Sequence, residues 1–171
     1  VPIVEPEVLM DGDHTMERCR EVTEEVLHQV FDQLYVQRVM LEGMILKPNM
    51  VVPGLACVTQ ESVDEVADAT VQCMLRSVPA AVPGIAFLSG GQSSQLATAR
   101  LNAMHVRFDS PQARPPWALS FSFGRALQQE AMHTWAGADA NRLAAQKALL
   151  QRARCVSAAV RGQYNAAMET A

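Results

Sequence analysis

Met44-Ile45-Leu46-Lys47-Pro48-Asn49-Met50 is the stretch on which the fold turns. A short apolar run stopped by proline reads as a buried strand. Its last residue before the proline is a lysine. An ammonium set in an apolar strand is costly unless it has a task, because desolvation disfavours the charged form. Lysines tuned by such surroundings are the usual nucleophiles toward carbonyl carbon, giving a Schiff base. The alternative is a strand-terminal lysine whose head stands in water above an apolar stem.

Outward from that stretch, short apolar runs alternate with longer helical patterns. The spacing predicts strands over 2–5, 39–47, 84–88 and 117–122. It predicts helices over 14–35, 61–77, 93–104, 125–135 and 141–162. In the first helix Val22, Val26, Val30 and Leu34 recur at fourfold spacing, with Leu27 and Phe31 beside them. Asp13 precedes it as a candidate N-cap. Pro83 opens the third strand and Ser89-Gly90-Gly91 closes it; Phe123-Gly124 closes the fourth. The last residues, 163–171, are expected to fray.

A β-α unit repeated four times argues for an α/β protein with a parallel sheet and right-handed crossovers, either open or part of a barrel. Four such units are half of a (β/α)8 barrel. In both architectures chemistry gathers at the carboxyl ends of the strands. Every chemically unusual group falls there: Glu5, Glu7, Lys47, Ser89-Gly90-Gly91 and Ser122-Phe123-Gly124-Arg125. That coincidence points to one shared site.

Glu5 and Glu7 flank Pro6. Residues two apart on an extended chain point the same way, so their carboxylates can share one pocket. Carboxylates that close suit proton shuttling near neutral pH; solvated loop acids are the plainer alternative. Ser89-Gly90-Gly91 directly follows a strand, where glycines let backbone N–H groups approach an anion and a following helix N-terminus favours negative charge. Many strands, however, end in glycine turns. One unit later Gly124 allows a close approach and Arg125 supplies a fixed cation, unless Arg125 only opens a surface helix. In (β/α)8 enzymes a phosphate is often held by the loops after strands seven and eight, which these would be.

Composition narrows the function classes. The 171 residues suit one domain, with 49% hydrophobic and 19% charged residues. Net charge is −4 with scattered Arg and Lys, which gives no electrostatic case for nucleic acid or an anionic membrane. Residues 77–99 carry no charge, but Pro79, Pro83, Gly84, Gly90, Gly91 and Gln92 interrupt any membrane span. Cys19, Cys57, Cys73 and Cys155 form no CxxC pair and read as reduced, partly buried thiols. His14, His28, His105 and His133 lack ligand-like spacing, so no metal is expected. Asp11-Gly12-Asp13 lacks the remaining ligands of a calcium loop; a turn and a helix cap explain it. No signal peptide is visible. Val1-Pro2-Ile3-Val4-Glu5 reads as a strand already under way, so the chain's beginning is expected to lie elsewhere.

The assembled segments resemble class I fructose-bisphosphate aldolase, in its carboxyl-terminal half. They are Val1 to Glu7, Asp11-Gly12-Asp13-His14, Leu41-Glu42-Gly43, Leu46 to Met50, Phe87 to Gln92, Leu101-Asn102-Ala103, Pro116 to Leu119, Phe121 to Leu127 and Ala144-Ala145-Gln146. They run in family order across nearly the whole chain. The resemblance implies strands five to eight of a (β/α)8 barrel, with residues 1–171 an incomplete domain. It implies reversible cleavage of fructose 1,6-bisphosphate to dihydroxyacetone phosphate and glyceraldehyde 3-phosphate in glycolysis and gluconeogenesis. Lys47 matches the Schiff-base lysine, Glu5 the general acid/base and Glu7 a neighbouring acid that helps hold the lysine's surroundings. Ser89, Gly90, Gly91, Ser122 and Arg125, with Gly124 beside them, match the phosphate site of the ketose half. No metal or other cofactor is implied.

The resemblance further implies a cytoplasmic enzyme that is a homotetramer when complete. This chain departs from the family in lacking the amino-terminal half and the mobile tail that ends in tyrosine, and in a longer loop over 105–116. The chain alone is therefore expected to be weak or inactive without an amino-terminal half as partner. Two rivals stand beside this reading: a lysine-dependent aldolase for another keto acid or deoxysugar phosphate, and a truncated, non-catalytic module for binding or assembly.

Overall fold

A computed structural model describes residues 1–170. Four short strands, β1 (Ile3–Val4), β2 (Ile45–Leu46), β3 (Gly84–Phe87) and β4 (Ala118–Phe121), form one sheet in the order β1-β2-β3-β4. All three pairings are parallel. Helix α1 (Met16–Val36) connects β1 to β2, α2 (Val63–Ser77) connects β2 to β3, and α3 (Ser94–Arg107) connects β3 to β4. Helices α4 (Arg125–Trp135) and α5 (Arg142–Ala159) follow β4. Sequential strand order without reversal is how a barrel winds, whereas a doubly wound sheet turns back on itself.

The sheet's two faces differ. Leu46 pairs with Ile85, and Ile85 with Leu119, so these side chains share one face. All three are buried, as is Phe87 two residues on, under the helical layer. The opposite face carries Ile3, Ile45, Ala86, Ala118 and Ser120. Ile3 is 52% exposed, and none of these five is buried.

Local chemistry explains most element ends. Ser62 caps α2 through a capping box: its hydroxyl accepts from the Glu65 N–H, and the Glu65 carboxylate accepts from the Ser62 N–H. Ser93 caps α3 by accepting from the Leu96 N–H.

Several expectations are corrected. Thr15, not Asp13, caps α1, accepting from the Arg18 N–H. The most buried row of α1 is Cys19, Thr23, Leu27 and Phe31, offset by one position from the valine row. The strand expected over 39–47 shrinks to two residues, because Leu41–Gly43 winds into a 3-10 turn that buries Leu41. Helix α3 runs on to Arg107, whose guanidinium bonds Asp64 and Asp68 on α2.

Where residues 163–171 are expected to fray, the described part of the tail is folded. Ala166–Thr170 forms a 3-10 helix docked on α5. Buried Arg152 donates to both carboxylate oxygens of Glu169, at 2.5 and 2.7 Å, and the Tyr164 hydroxyl donates to Glu169 at 2.6 Å. A buried guanidinium makes a strong anchor for one late carboxylate. Residue 171 lies outside the described residues.

Candidate active site

The parallel register builds the site. Val4 pairs with Leu46, so the next residues, Glu5 and Lys47, emerge side by side at the strand ends. The Lys47 N–H donates to the Val4 carbonyl at 2.8 Å. The Lys47 ammonium donates to Glu5 Oε2 at 2.8 Å. The lysine side chain is 22% exposed and the glutamate 52%. The lysine thus stands one residue past its strand, its stem sheltered and its head held by a carboxylate.

Asn49 locks this pair from below. Buried at 4% exposure, it accepts from the Val8 N–H at 2.9 Å and donates to Thr23 Oγ1 and the Met50 carbonyl, each at 3.1 Å. One amide side chain therefore ties the loop after β1, helix α1 and the loop after β2. Buried amides are retained where every donor and acceptor is used. Pro48 and Leu88 continue the lattice, since the Leu88 N–H donates to the Pro48 carbonyl at 3.0 Å.

The next two loops close the other side. Gly90 and Gly91 both adopt left-handed backbone, with φ of 52° and 73°. This conformation is open to glycine at little cost. The Gln92 N–H donates to the Ser89 carbonyl and closes the turn. Beyond β4, the Ser122 N–H donates to the Phe87 carbonyl, setting Ser122 level with the glycine turn. Gly124 stands at the N-cap of α4 with open space where a Cβ would lie. Arg125 is the first residue of that helix.

These groups surround an open cavity of about 280 Å³, lined by Glu5, Glu7, Lys47, Leu88, Ser89, Gly90, Ser122, Gly124 and Arg125. One end presents an amine beside carboxylates. The other presents a hydroxyl, a glycine turn, a helix N-terminus and a guanidinium, which together suit an oxyanion. Such an arrangement can anchor a phosphorylated carbonyl compound with its carbonyl toward the amine.

Of the residues singled out from sequence, Gly91 alone is absent from the cavity wall. Its Cα faces Met10, whose methyl would meet a Cβ at 2.7 Å. Leu88 and Asn49 were missed. Leu88 follows from strand alternation, two residues beyond Ala86 on the open face. The signal for Asn49 was a lone amide within a run of buried apolar residues. The histidines stand apart from this cavity: His28 reaches the Arg76 carbonyl, and His105 lines clefts elsewhere. No group of three or more His, Cys, Asp or Glu side chains is set to hold a metal ion among the described residues. No described helix is long and apolar enough to cross a membrane.

Fold and cavity together define a parallel α/β protein with a polar site at the strand carboxyl ends, where this architecture places its chemistry. A sequence model of the glycolytic class-I fructose-bisphosphate aldolases matches residues 1–171. Fructose-bisphosphate aldolase B of Gallus gallus is 54% identical over 164 residues, which is 96% of this chain but 44% of that protein. The fructose-bisphosphate aldolase of Dictyostelium discoideum is 51% identical over the same shares. A solved Plasmodium falciparum fructose-bisphosphate aldolase, in complex with TRAP and a small-molecule inhibitor, superposes with a TM-score of 0.90 at 47% identity, covering 96% of this chain and 46% of that one. The chain belongs to the class-I fructose-bisphosphate aldolase family. It spans a little under half the length of these relatives.

Proposed function

We propose that this chain is the carboxyl-terminal half, strands five to eight, of a (β/α)8 aldolase barrel, and that it carries the Schiff-base site for fructose 1,6-bisphosphate. The observation that carries the reading is the Lys47–Glu5 pair, held at 2.8 Å in the same cavity as the Ser89–Gly90 turn and Arg125. Glu5 takes the ammonium proton and frees the amine. The amine adds to the ketose carbonyl, and the hydroxyl so formed leaves as water once Glu5 returns the proton. The resulting iminium draws in the electron pair of the bond between its α and β carbons while ionised Glu5 takes the proton of the β-hydroxyl, so that bond breaks, the aldehyde half leaves and an enamine remains. Protonation of the enamine and hydrolysis then free dihydroxyacetone phosphate and Lys47.

Glu7 adds a second carboxylate that helps hold Lys47. Ser89, Gly90, Ser122, Gly124 and Arg125 anchor the ketose phosphate, so that binding energy far from the reacting carbon fixes its position. Gly91 supports that anchor from outside the cavity, through the turn. The complete protein is a cytoplasmic homotetramer whose amino-terminal half supplies the remaining barrel.

The test is borohydride trapping with dihydroxyacetone phosphate, followed by intact mass and peptide mapping. One reduced adduct on Lys47, absent from Lys47→Met, is the expected result, either in the 171-residue chain or after addition of an amino-terminal half. No adduct in either preparation overturns the assignment and favours a non-catalytic binding module.

A further inference from the structure

Arg100 lies on the inner side of α3 and is only 4% exposed. Arginine is seldom buried so far unless paired. Among the described residues no carboxylate lies within ion-pair distance of it. Its Nε is buried with no hydrogen-bond partner. Burial pushes the guanidinium below its ordinary value, while the field of Glu61 acts in the opposite direction. A buried cation held this way is a poor stability device, since an apolar side chain of similar volume would often serve better.

What the guanidinium does hold is Gln92. Arg100 Nη1 donates to Gln92 Oε1 at 2.8 Å. Gln92 is the residue that closes the glycine turn, through its N–H to the Ser89 carbonyl at 3.1 Å. Its Nε2 donates to Met50 Sδ at 3.6 Å. Met50 is 1% exposed and lies three residues past Lys47. Gln92 therefore spans the glycine turn on one side and the lysine's loop on the other. The turn needs an external brace, because two consecutive left-handed glycines have little conformational preference of their own.

We propose that Arg100 is a positioning residue: through Gln92 it fixes the Ser89-Gly90-Gly91 turn against the loop that follows Lys47, and so sets how tightly the site grips a ketose phosphate. This rests on the aldolase reading above. Arg100 touches no substrate; it governs where the turn's N–H groups stand relative to the amine.

The test compares borohydride trapping at Lys47 with dihydroxyacetone phosphate and with unphosphorylated dihydroxyacetone, in the preparation that traps. Amide hydrogen exchange is followed in peptides spanning 86–93 and 47–52. Arg100→Met is expected to cut the preference for the phosphorylated ketose about tenfold, the scale of one hydrogen bond to a charged group, while trapping of dihydroxyacetone stays within about twofold. Exchange should rise in those two peptides and not in α1. Gln92→Leu should do the same, and the double variant should be no worse than either single one, because both remove one linkage. Arg100→Lys should restore part of the preference.

An unchanged preference, or additive losses in the double variant, would overturn the proposal. Should Arg100→Met fail to fold, Gln92→Leu, at a half-buried position, carries the comparison. If the wild-type protein traps neither ketose, the aldolase reading fails by itself. Exchange then decides the brace: a rise confined to the two peptides keeps it, and unchanged exchange removes it.

Discussion

Asn49→Ala is the sharpest test of how this chain builds its site. The substitution removes three short hydrogen bonds, to the Val8 N–H, Thr23 Oγ1 and the Met50 carbonyl, and a long, weak one to Cys19 Sγ at 4.0 Å that is left out of the sum below. Each of the three is worth about 1 kcal/mol net, and a buried donor such as the Val8 N–H left bare costs roughly 1 kcal/mol more. The total comes to about 4 kcal/mol, a large share of the ~5–15 kcal/mol that holds a typical domain. Urea unfolding should show the midpoint falling at unchanged slope, the mark of a stability loss rather than a change in compactness.

The same substitution should slow borohydride trapping at Lys47 even well below the unfolding midpoint. Val8 follows Glu7 directly and Asn49 stands two residues past Lys47, so losing the tie lets the carboxylate arm drift from the amine. A loss under about 1 kcal/mol with trapping intact would refute the claim that Asn49 aligns the two arms. Asn49→Asp separates the terms further: it keeps an acceptor for Val8 but loses both donations, and should recover only part of the loss.

Two other perturbations probe the scaffold. Gly54→Ala should destabilise by about 1–3 kcal/mol in the same urea assay, because a Cβ there runs into the backbone of Gly12 and His14, which cannot swing aside; Gly124→Ala, with nothing near its Cβ position, should stay within about 0.5 kcal/mol of wild type. The docked tail should hold within a defined pH window. The hydrogen bond from Arg152 holds Glu169 below its ordinary value of 4.5, so its contribution is full above that pH and is lost as pH falls through the depressed value. The Tm gap between wild type and Glu169→Gln should therefore be flat above about pH 5 and shrink at more acid pH; a gap that does not change with pH would refute it. Burial, aided by the Glu169 bond, pushes the Tyr164 phenol up to about 12, so its share is full below 10 and lost between there and about 12, which ultraviolet titration of Tyr164 checks against Tyr164→Phe.

Much of this was legible because it is local. Alternating apolar runs and helical rows place four strands and five helices in order, and Arg125–Trp135 matches its expected bounds. The cavity residues were legible because a parallel sheet puts every strand's carboxyl end on one side. What escaped depends on which side chains the folded backbone brings together. Thr15 displaces Asp13 because only the folded turn decides which side chain reaches a free N–H. The tail's order comes from Arg152, whose partner Glu169 lies 17 residues on. Arg100 carries no signal of its own in the sequence, because its bond to Gln92 exists only once the glycine turn is folded against α3. Gly91 shows the converse: a motif read as one unit splits into a cavity residue, Gly90, and a glycine that only completes the turn.

The uneven sheet connects fold to site under the proposed reading. A barrel interior is filled by layers of side chains from alternate strands. Here Ile3, Ile45, Ala86, Ala118 and Ser120 face that way and none is buried, whereas Leu46, Ile85 and Phe87 on the other face are at or below 1% exposed. The helical layer is thus closed and the inner layer is open. The cavity inherits this asymmetry. Its wall contains the amine, its carboxylates and the groups suited to one phosphate, all from four consecutive strand ends. A bisphosphate carries a second phosphate on the far side of the cleaved bond, and the cavity wall holds no second cluster of anion-binding groups to receive it. On the proposed reading, ketose capture belongs to this chain and placement of the aldehyde end to whatever covers the open face. Trapping of dihydroxyacetone phosphate should accordingly tolerate loss of that cover far better than cleavage of fructose 1,6-bisphosphate does.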